Sequence, residues 1–254
     1  MDIYNLVQRY KCESVTDFYY RVPIFDFKAV AIKYQLKLNQ LIEHFVNLHI
    51  KVMLDGQRDH LWELIRQQPH GNAENIDNIL SNVGIGPYAF YYAVKTVLSK
   101  SHSKMNCIYI HGPINSCKTI LAQCITSRFV TCYATNHGSL GDFFFAPFLH
   151  KSIINLEEIQ ITTATADDYK SILGGAPLDI NRKHVIDRQR LYRTPIIITS
   201  NYNTYGRGMI STLDESALQA RSFIFETMCA YTPTNQITPD DMSAWLYKME
   251  KIYH

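Results

Sequence analysis

No apolar run in this chain reaches the roughly 18 residues that a membrane-spanning helix needs, so no membrane partner is expected. The N-terminus, Met1-Asp2-Ile3-Tyr4, lacks the charged segment and apolar stretch of a secretory leader. Cysteine is sparse: six residues lie at 12, 107, 117, 124, 132 and 229, with no C-x-x-C pair. That argues against a disulfide framework or a zinc site, and for reduced thiols in a cytosolic or nuclear setting. Charge of one sign is scarce too. With 25 Lys and Arg against 23 Asp and Glu the formal net charge is only +2, so any nucleic-acid contact has to come from a local basic patch. Repeats and low-complexity tracts are absent. What is present, 46% apolar and 19% charged residues over 254 positions, describes a folded chain long enough for one α/β domain with a smaller attached unit.

Residues 1–66 read as mostly helical. Ile32, Leu36, Leu38, Leu41, Ile42, Phe45, Leu48 and Val52 recur roughly at helical spacing. Gln67-Gln68-Pro69-His70-Gly71-Asn72 is a breaker and a boundary, which divides the chain into 1–71 and 72–254. A helix follows at Glu74–Asn82, stopped by Gly84 and Gly86-Pro87, and another is expected over 88–100. Apolar β-prone runs then appear at 107–111, 128–133, 151–156 and 194–200, separated by helices and loops. Alternating strands and helices predict an α/β fold with a largely parallel sheet and its ligand at the C-terminal ends of the strands.

The segment Gly112-Pro113-Ile114-Asn115-Ser116-Cys117-Lys118-Thr119 is a phosphate-binding loop with one departure. Against G-x-x-x-x-G-K-[S/T], Gly112, Lys118 and Thr119 are in register and Cys117 replaces the second glycine. The preceding 107–111 reads as a buried strand and 118–127 as a helix, which is the context the motif requires. Backbone N–H groups of the loop and of the helix N-terminus would cradle phosphates, Lys118 would reach the β- and γ-phosphates, and the Thr119 hydroxyl would hold Mg²⁺. If position 117 requires a positive φ, its Cβ costs on the order of 1–2 kcal/mol. A thiol beside Lys118 and a helix N-terminus is also expected to have a lowered pKa and to be reactive.

Four further segments carry chemistry. Lys151-Ser-Ile-Ile-Asn-Leu-Glu157-Glu158 is an apolar strand ending in paired carboxylates, with Glu157 placed 39 residues after Lys118. One carboxylate would order a Mg²⁺ shell and the other would orient or deprotonate a water, although a solvated strand end carries the same letters. Thr194-Pro-Ile-Ile-Ile-Thr-Ser-Asn201 is a second apolar strand. Its terminal amide would meet a γ-phosphate or lytic water, or would simply begin an Asn-rich turn. Between them, Leu173-Gly174-Gly175 through Asn181-Arg182-Lys183-His184, with Arg188, Arg190 and Arg193, is the densest basic stretch. After a helix over Asp167–Leu173, it reads as a projecting hairpin suited to backbone phosphates, or as a solvated loop. Finally, Arg221 sits between a short helix and an alternating Phe223/Phe225 strand, as a surface residue or as an arginine finger acting on a neighbour's nucleotide.

These pieces, in this order, resemble the superfamily 3 helicases of small DNA viruses, and in particular the helicase domain of parvoviral Rep-type large nonstructural proteins. Asn75–Leu80 with Gly86-Pro-Tyr-Ala looks like the helices before the loop. Gly112–Thr119, Ile153–Glu158 and Thr194–Asn201 look like the three motifs, Leu173–Lys183 like the DNA-contacting hairpin, Leu218-Gln-Ala-Arg221 like the finger segment, and Ile237–Leu246 like the closing helix. The likeness is strong over 72–254 and weak over 1–71, which resembles the helical bundle that begins the helicase portion and would serve oligomerisation.

The resemblance implies an AAA+-type fold, ATP and Mg²⁺ as cofactors, a homo-hexameric ring, and 3′-to-5′ movement on single-stranded DNA during viral replication in the host nucleus. Gly112, Pro113, Asn115, Ser116, Cys117, Lys118 and Thr119 would bind the nucleotide. Thr119 and Glu157 would hold the metal, Glu157 and Glu158 would serve metal and water, Asn201 would be the sensor and Arg221 the finger in trans. Arg182, Lys183 and His184 would contact DNA, with Lys183 in the pore.

Rep-type proteins usually carry an upstream nuclease with a His-x-His pair and a Tyr-x-x-x-Lys nucleophile. No such His pair occurs here, and His44 and His49 have ordinary helical spacing. Tyr91-x-x-x-Lys95 matches the nucleophile pattern but lies in a predicted helix just before the loop, and reads as a packing tyrosine. The nuclease is expected to be absent, in a helicase-only gene product or an excised domain. Two alternatives to an active helicase stand beside it: a nucleotide- and DNA-binding regulator with weak or no ATPase activity, which Cys117 favours, and a helicase-fold interaction module.

Overall fold

The computed structural model describes residues 2–67, 70–135, 144–181 and 189–253, and the chain forms two compact units, 1–58 and 59–254. The first is helical: α1 (Ile3–Arg9), α2 (Val15–Arg21), α3 (Ile24–Tyr34) and α4 (Leu38–Gln57), with a single 3-10 turn at Gln35–Lys37. Ser14 caps α2 by accepting from Asp17 N at 2.9 Å, which satisfies a donor that the helix itself cannot. Ile3, Leu6, Val7, Phe18, Val30, Leu38, Ile42 and Val46 form the core. The helical spacing read over 32–52 is therefore interrupted. Gln35 takes φ +43, so Leu38 and Ile42 are buried while Ile32 and Leu36 point into solvent.

The units divide ahead of the breaker at 67–72. The reason is α5 (Leu61–Ile65), whose Leu61, Trp62 and Ile65 belong to the core of the second unit. There, α6 (Ala73–Val83) starts at Asn72, whose side chain accepts from Glu74 N, and stops at Gly84 with φ +80. α7 (Pro87–Leu98) places Pro87 in its first turn, where the missing N–H does no harm. Tyr91 is buried in α7, edge-on to Trp62, as a packing residue.

The remaining elements among the described residues are β1 (Cys107–His111), α8 (Lys118–Thr126), β2 (Thr131–Thr135), a 3-10 turn (Ala146–Phe148), β3 (Ile153–Glu157), α9 (Ala166–Leu173), β4 (Leu178–Ile180), β5 (Gln189–Leu191), β6 (Ile196–Ser200), α10 (Thr212–Gln219), β7 (Ser222–Glu226) and α11 (Pro239–Tyr253). Five strands form a sheet in the order β2-β3-β6-β1-β7, every neighbouring pair parallel. Helices cover both faces, so β1 and β6 are buried at every position. Alternation assigns Ile108 and Ile110 to one core, with α7, α8 and α11, and Cys107 and Tyr109 to the other, with α9 and α10. This is the α/β, AAA+-type arrangement with a mostly parallel sheet that the sequence predicts.

One strand begins later than its letters indicate. β2 starts at Thr131 rather than 128, because 127–130 form the turn out of α8, held by the Thr131 hydroxyl on Thr126 O at 2.7 Å and Phe129 O at 3.0 Å. The hairpin predicted after α9 exists as β4 and β5, antiparallel, with Arg190 Nε on Asp179 Oδ1 across it at 2.8 Å. Residues 182–188, which include the predicted DNA contacts Arg182, Lys183 and His184 as well as Arg188, lie outside the described residues.

Candidate nucleotide site

The sheet order decides which motifs meet. β6 lies between β1 and β3, so the loop after β1, the carboxylates ending β3 and the amide after β6 come together at the C-terminal edge. This is where open α/β sheets bind ligands. The Thr119 hydroxyl donates to Glu157 Oε1 at 2.8 Å. Lys118 Nζ lies 3.1 Å from Asn201 Oδ1 and also reaches Gly112 O at 3.0 Å, Pro113 O at 2.6 Å and Ser116 Oγ at 3.2 Å. Burial lowers the Lys118 pKa, opposed in part by the charges of Glu158 and Glu157. Asn201 N donates to Glu158 Oε1 at 2.9 Å. Loop, both carboxylates and amide thus form one connected polar cluster.

The loop backbone explains its letters. Gly112 sits at φ +142, and a Cβ there would lie 2.1 Å from Thr227 Oγ1 and 2.3 Å from Thr227 O, so only glycine fits. Asn115 and Cys117 adopt φ +58 and +61. Position 117 does require the left-handed conformation, and cysteine occupies it. α8 receives no side-chain cap from Cys117 and has no acidic residue in its first turn, which leaves its N-terminal dipole for an anion. The donor set fits the expected cofactors: N–H groups and an ammonium for phosphates, and a hydroxyl with a carboxylate, both hard oxygen ligands, for Mg²⁺. Beside the loop, a cavity of about 500 Å³ opens between α8 and the 232–239 segment, lined by Ile120, Gln123, Cys124, Pro233, Asn235 and Ile237 among others.

The expected reactivity of Cys117 is corrected. Its side chain is buried, and its thiol donates to Tyr231 O at 3.1 Å. Burial pushes the thiol up, and the pull of Lys118 in the other direction is smaller. The depth of position 117, which the sequence does not give, outweighs the neighbouring charge.

Arg221 is not brought to this cluster. It immediately precedes β7, and Cys107 of β1 is in register with Ser222 while His111 is in register with Glu226. Arg221 therefore stands at the opposite sheet edge from Gly112, on the order of 16 Å away along five strand residues. Its guanidinium donates to Ala217 O. Arg193 from the basic stretch is committed to structure, with Nε on Asn106 Oδ1 at 3.3 Å and Nη2 on Met105 O at 3.2 Å. One site residue escaped the sequence reading. Arg207 Nη2 reaches Glu158 Oε2 at 3.3 Å. The one local signal was an arginine set between Gly206 and Gly208 a few residues after Asn201.

The chain is similar to known proteins over most of its length. The model of the family Parvovirus non-structural protein NS1 matches residues 33–251. The initiator protein NS1 of Bovine parvovirus 1 is 27% identical over 184 residues, covering 70% of this chain and 21% of that protein. Protein Rep52 of Adeno-associated virus 2 is 30% identical over 174 residues, covering 64% of this chain and 42% of that protein. The chain thus spans less than half the length of these curated relatives. Among solved structures, the JCV helicase is similar with a TM-score of 0.56 at 14% identity, covering 89% of this chain and 76% of that one. The C-terminal region of NrS-1 gives 0.51 at 16%, covering 68% and 45%; at these identities both likenesses concern the fold. With a family match over most of its length and the motifs gathered at one sheet edge, the chain belongs to the parvovirus non-structural protein NS1 family, of which it carries a superfamily 3 helicase domain.

Proposed function

We propose that this chain is an ATP-driven helicase of viral DNA replication, working as a hexameric ring that moves 3′ to 5′ on single-stranded DNA in the host nucleus. The observation that carries the reading is the convergence of Lys118, Thr119, Glu157, Glu158 and Asn201 at one sheet edge, with Thr119 Oγ1 2.8 Å from Glu157 Oε1 and Lys118 Nζ 3.1 Å from Asn201 Oδ1. Membership of a family with relatives named initiator protein NS1, and a fold shared with the JCV helicase, support it.

Gly112, Pro113, Asn115, Ser116 and Cys117 present the backbone that cradles phosphates, and Lys118 exchanges its carbonyl partners for phosphate oxygens. Thr119 and Glu157 would hold Mg²⁺, which would supply positive charge to offset that of the nucleotide phosphates. Glu158 orients the attacking water and accepts its proton, while Asn201 senses the γ-phosphate. The cavity lined by Ile120 and Ile237 takes the base. Arg221, remote from its own loop, serves the neighbouring subunit's nucleotide in trans. Arg182, Lys183 and His184, in the sequence between β4 and β5, contact the DNA backbone, and residues 1–71 serve assembly.

A second reading, a nucleotide- and DNA-binding regulator with little turnover, is favoured by Cys117 at φ +61. ATP turnover on single-stranded DNA separates the two. The helicase reading expects turnover that Lys118→Ala abolishes, and equal background rates in both proteins would refute it.

A further inference from the structure

We propose that Arg207 is a positioning residue for the Glu158 carboxylate, an inference that rests on the hydrolase reading above. Glu158 leaves β3 with φ +51, a conformation that disfavours any residue with a Cβ, and its N–H donates to Thr199 O at 2.9 Å. This kink turns the side chain toward β6 and away from Thr119, the partner of Glu157. One carboxylate oxygen, Oε1, then accepts from Asn201 N at 2.9 Å, and the other, Oε2, lies 3.3 Å from Arg207 Nη2. The same Nη2 reaches Glu158 O at 2.9 Å and Ile159 O at 3.3 Å. A single guanidinium nitrogen therefore fixes both the side chain and the kinked backbone of Glu158. Of the roughly four lone-pair positions on a carboxylate, two remain to accept from a water.

Arg207 is itself held in place. Its guanidinium carbon stands 3.9 Å from the centre of the Tyr202 ring, in cation–π contact. Tyr202 O accepts from Tyr109 Oη of β1 at 2.6 Å. Tyr205 N and Gly206 N donate to the two oxygens of Glu215 in α10 at 2.8 and 3.1 Å, and Tyr205 O accepts from Ile161 N at 3.0 Å. The segment that presents Arg207 is thus tied to the sheet, to α10 and to the chain beyond β3.

One observation argues that the contact serves geometry. Arg207 Nε is out of solvent with no hydrogen-bond partner among the described residues. A guanidinium placed to maximise its own hydrogen bonds would not leave that donor unused. The two adjacent carboxylates thereby divide their work: Glu157 is committed to the Thr119 hydroxyl, and Glu158 is held for the water.

The test uses the full chain, with ATP turnover on single-stranded DNA, binding of a fluorescent ATP analogue, and thermal melting. Arg207→Ala is expected to lower kcat about ten- to a hundredfold, the range set by misplacing a general base, with nucleotide Kd near wild type and a cooperative thermal transition retained. Arg207→Lys, which keeps the charge but not the fork, recovers part of the loss and carries the test if the alanine variant does not fold. In a Glu158→Asp background, whose carboxylate is one methylene too short for Arg207, Arg207→Ala has less than about a twofold further effect. An unchanged kcat in Arg207→Ala, the same fold-loss in the Glu158→Asp background, or a Kd that weakens in step with kcat would overturn the proposal. A wild type no faster than Lys118→Ala is a different result: it defeats the hydrolase reading, and the positioning role with it.

Discussion

Replacing Cys117 with glycine asks how much the departure in the phosphate loop costs. The residue sits at φ +61 and ψ 10, where a Cβ is unfavourable by about 1–2 kcal/mol. Glycine relieves that strain but enlarges the freedom of the unfolded chain, a loss of about 0.4–1 kcal/mol. It also removes a side chain that is only 6% exposed, worth about 1 kcal/mol of burial at roughly 25 cal/mol per Å², and the thiol contact to Tyr231 O. These terms nearly cancel. Cys117→Gly should therefore lie within about 1 kcal/mol of wild type, a change in Tm of no more than about 4 °C for a chain of this size. The loop already holds the conformation glycine would give it, so nucleotide Kd should move by no more than about fivefold. Cys117→Val, with a branched Cβ at the same φ, should be less stable and bind more weakly. The assays are thermal melting and titration with a fluorescent ATP analogue. A Kd at least tenfold tighter in Cys117→Gly, equivalent to about 1.4 kcal/mol, together with a raised Tm, would refute the reasoning and show that cysteine holds the loop away from its binding form.

Two other perturbations follow from the same geometry. Because Arg221 lies at the sheet edge opposite its own loop, Lys118→Ala and Arg221→Ala should each be inactive alone, and an equimolar mixture should regain part of the turnover; a mixture as inactive as its components would refute action in trans. In α4, both ring nitrogens of His49 are out of solvent without a partner among the described residues, and burial lowers its pKa below 6.5. The unfolded chain then binds the proton more readily, so this stability is present above about pH 6.5 and is lost as pH falls through the folded-state pKa. His49→Leu should melt higher at neutral pH, by about 1 kcal/mol for removing an unsatisfied buried group, and its Tm should fall less than that of wild type toward pH 5; parallel pH profiles would contradict this.

The site was legible where a letter reports a backbone or chemical requirement. Gly112 at a position with no room for a Cβ, Lys118 and Thr119 at a helix N-terminus, and Glu157 at the end of an apolar strand can each be read without coordinates. β1 and β6 were legible because strands buried on both faces read as continuous apolar runs. What depends on depth or on the path of a turn was not. The Cys117 thiol was expected to have a lowered pKa, because the sequence shows Lys118 beside it and does not show its burial. Arg207 meets Glu158 across 49 residues of sequence, through a turn whose course no local pattern specifies. Ile32 and Leu36 share the helical spacing of Leu38 and Ile42, yet the break at Gln35 puts them on the solvent side.

The most direct measurement of the central claim is the steady-state rate of ATP hydrolysis on single-stranded DNA in wild type, Cys117→Gly and Lys118→Ala, compared at one salt concentration because DNA binding is salt-dependent. If Lys118, Thr119, Glu157, Glu158 and Asn201 form a working site, wild type and Cys117→Gly hydrolyse ATP at rates within about tenfold of each other, and Lys118→Ala falls to background. Equal background-level rates in all three proteins would contradict the account, and turnover appearing only in Cys117→Gly would mark the natural chain as the nucleotide-binding regulator instead.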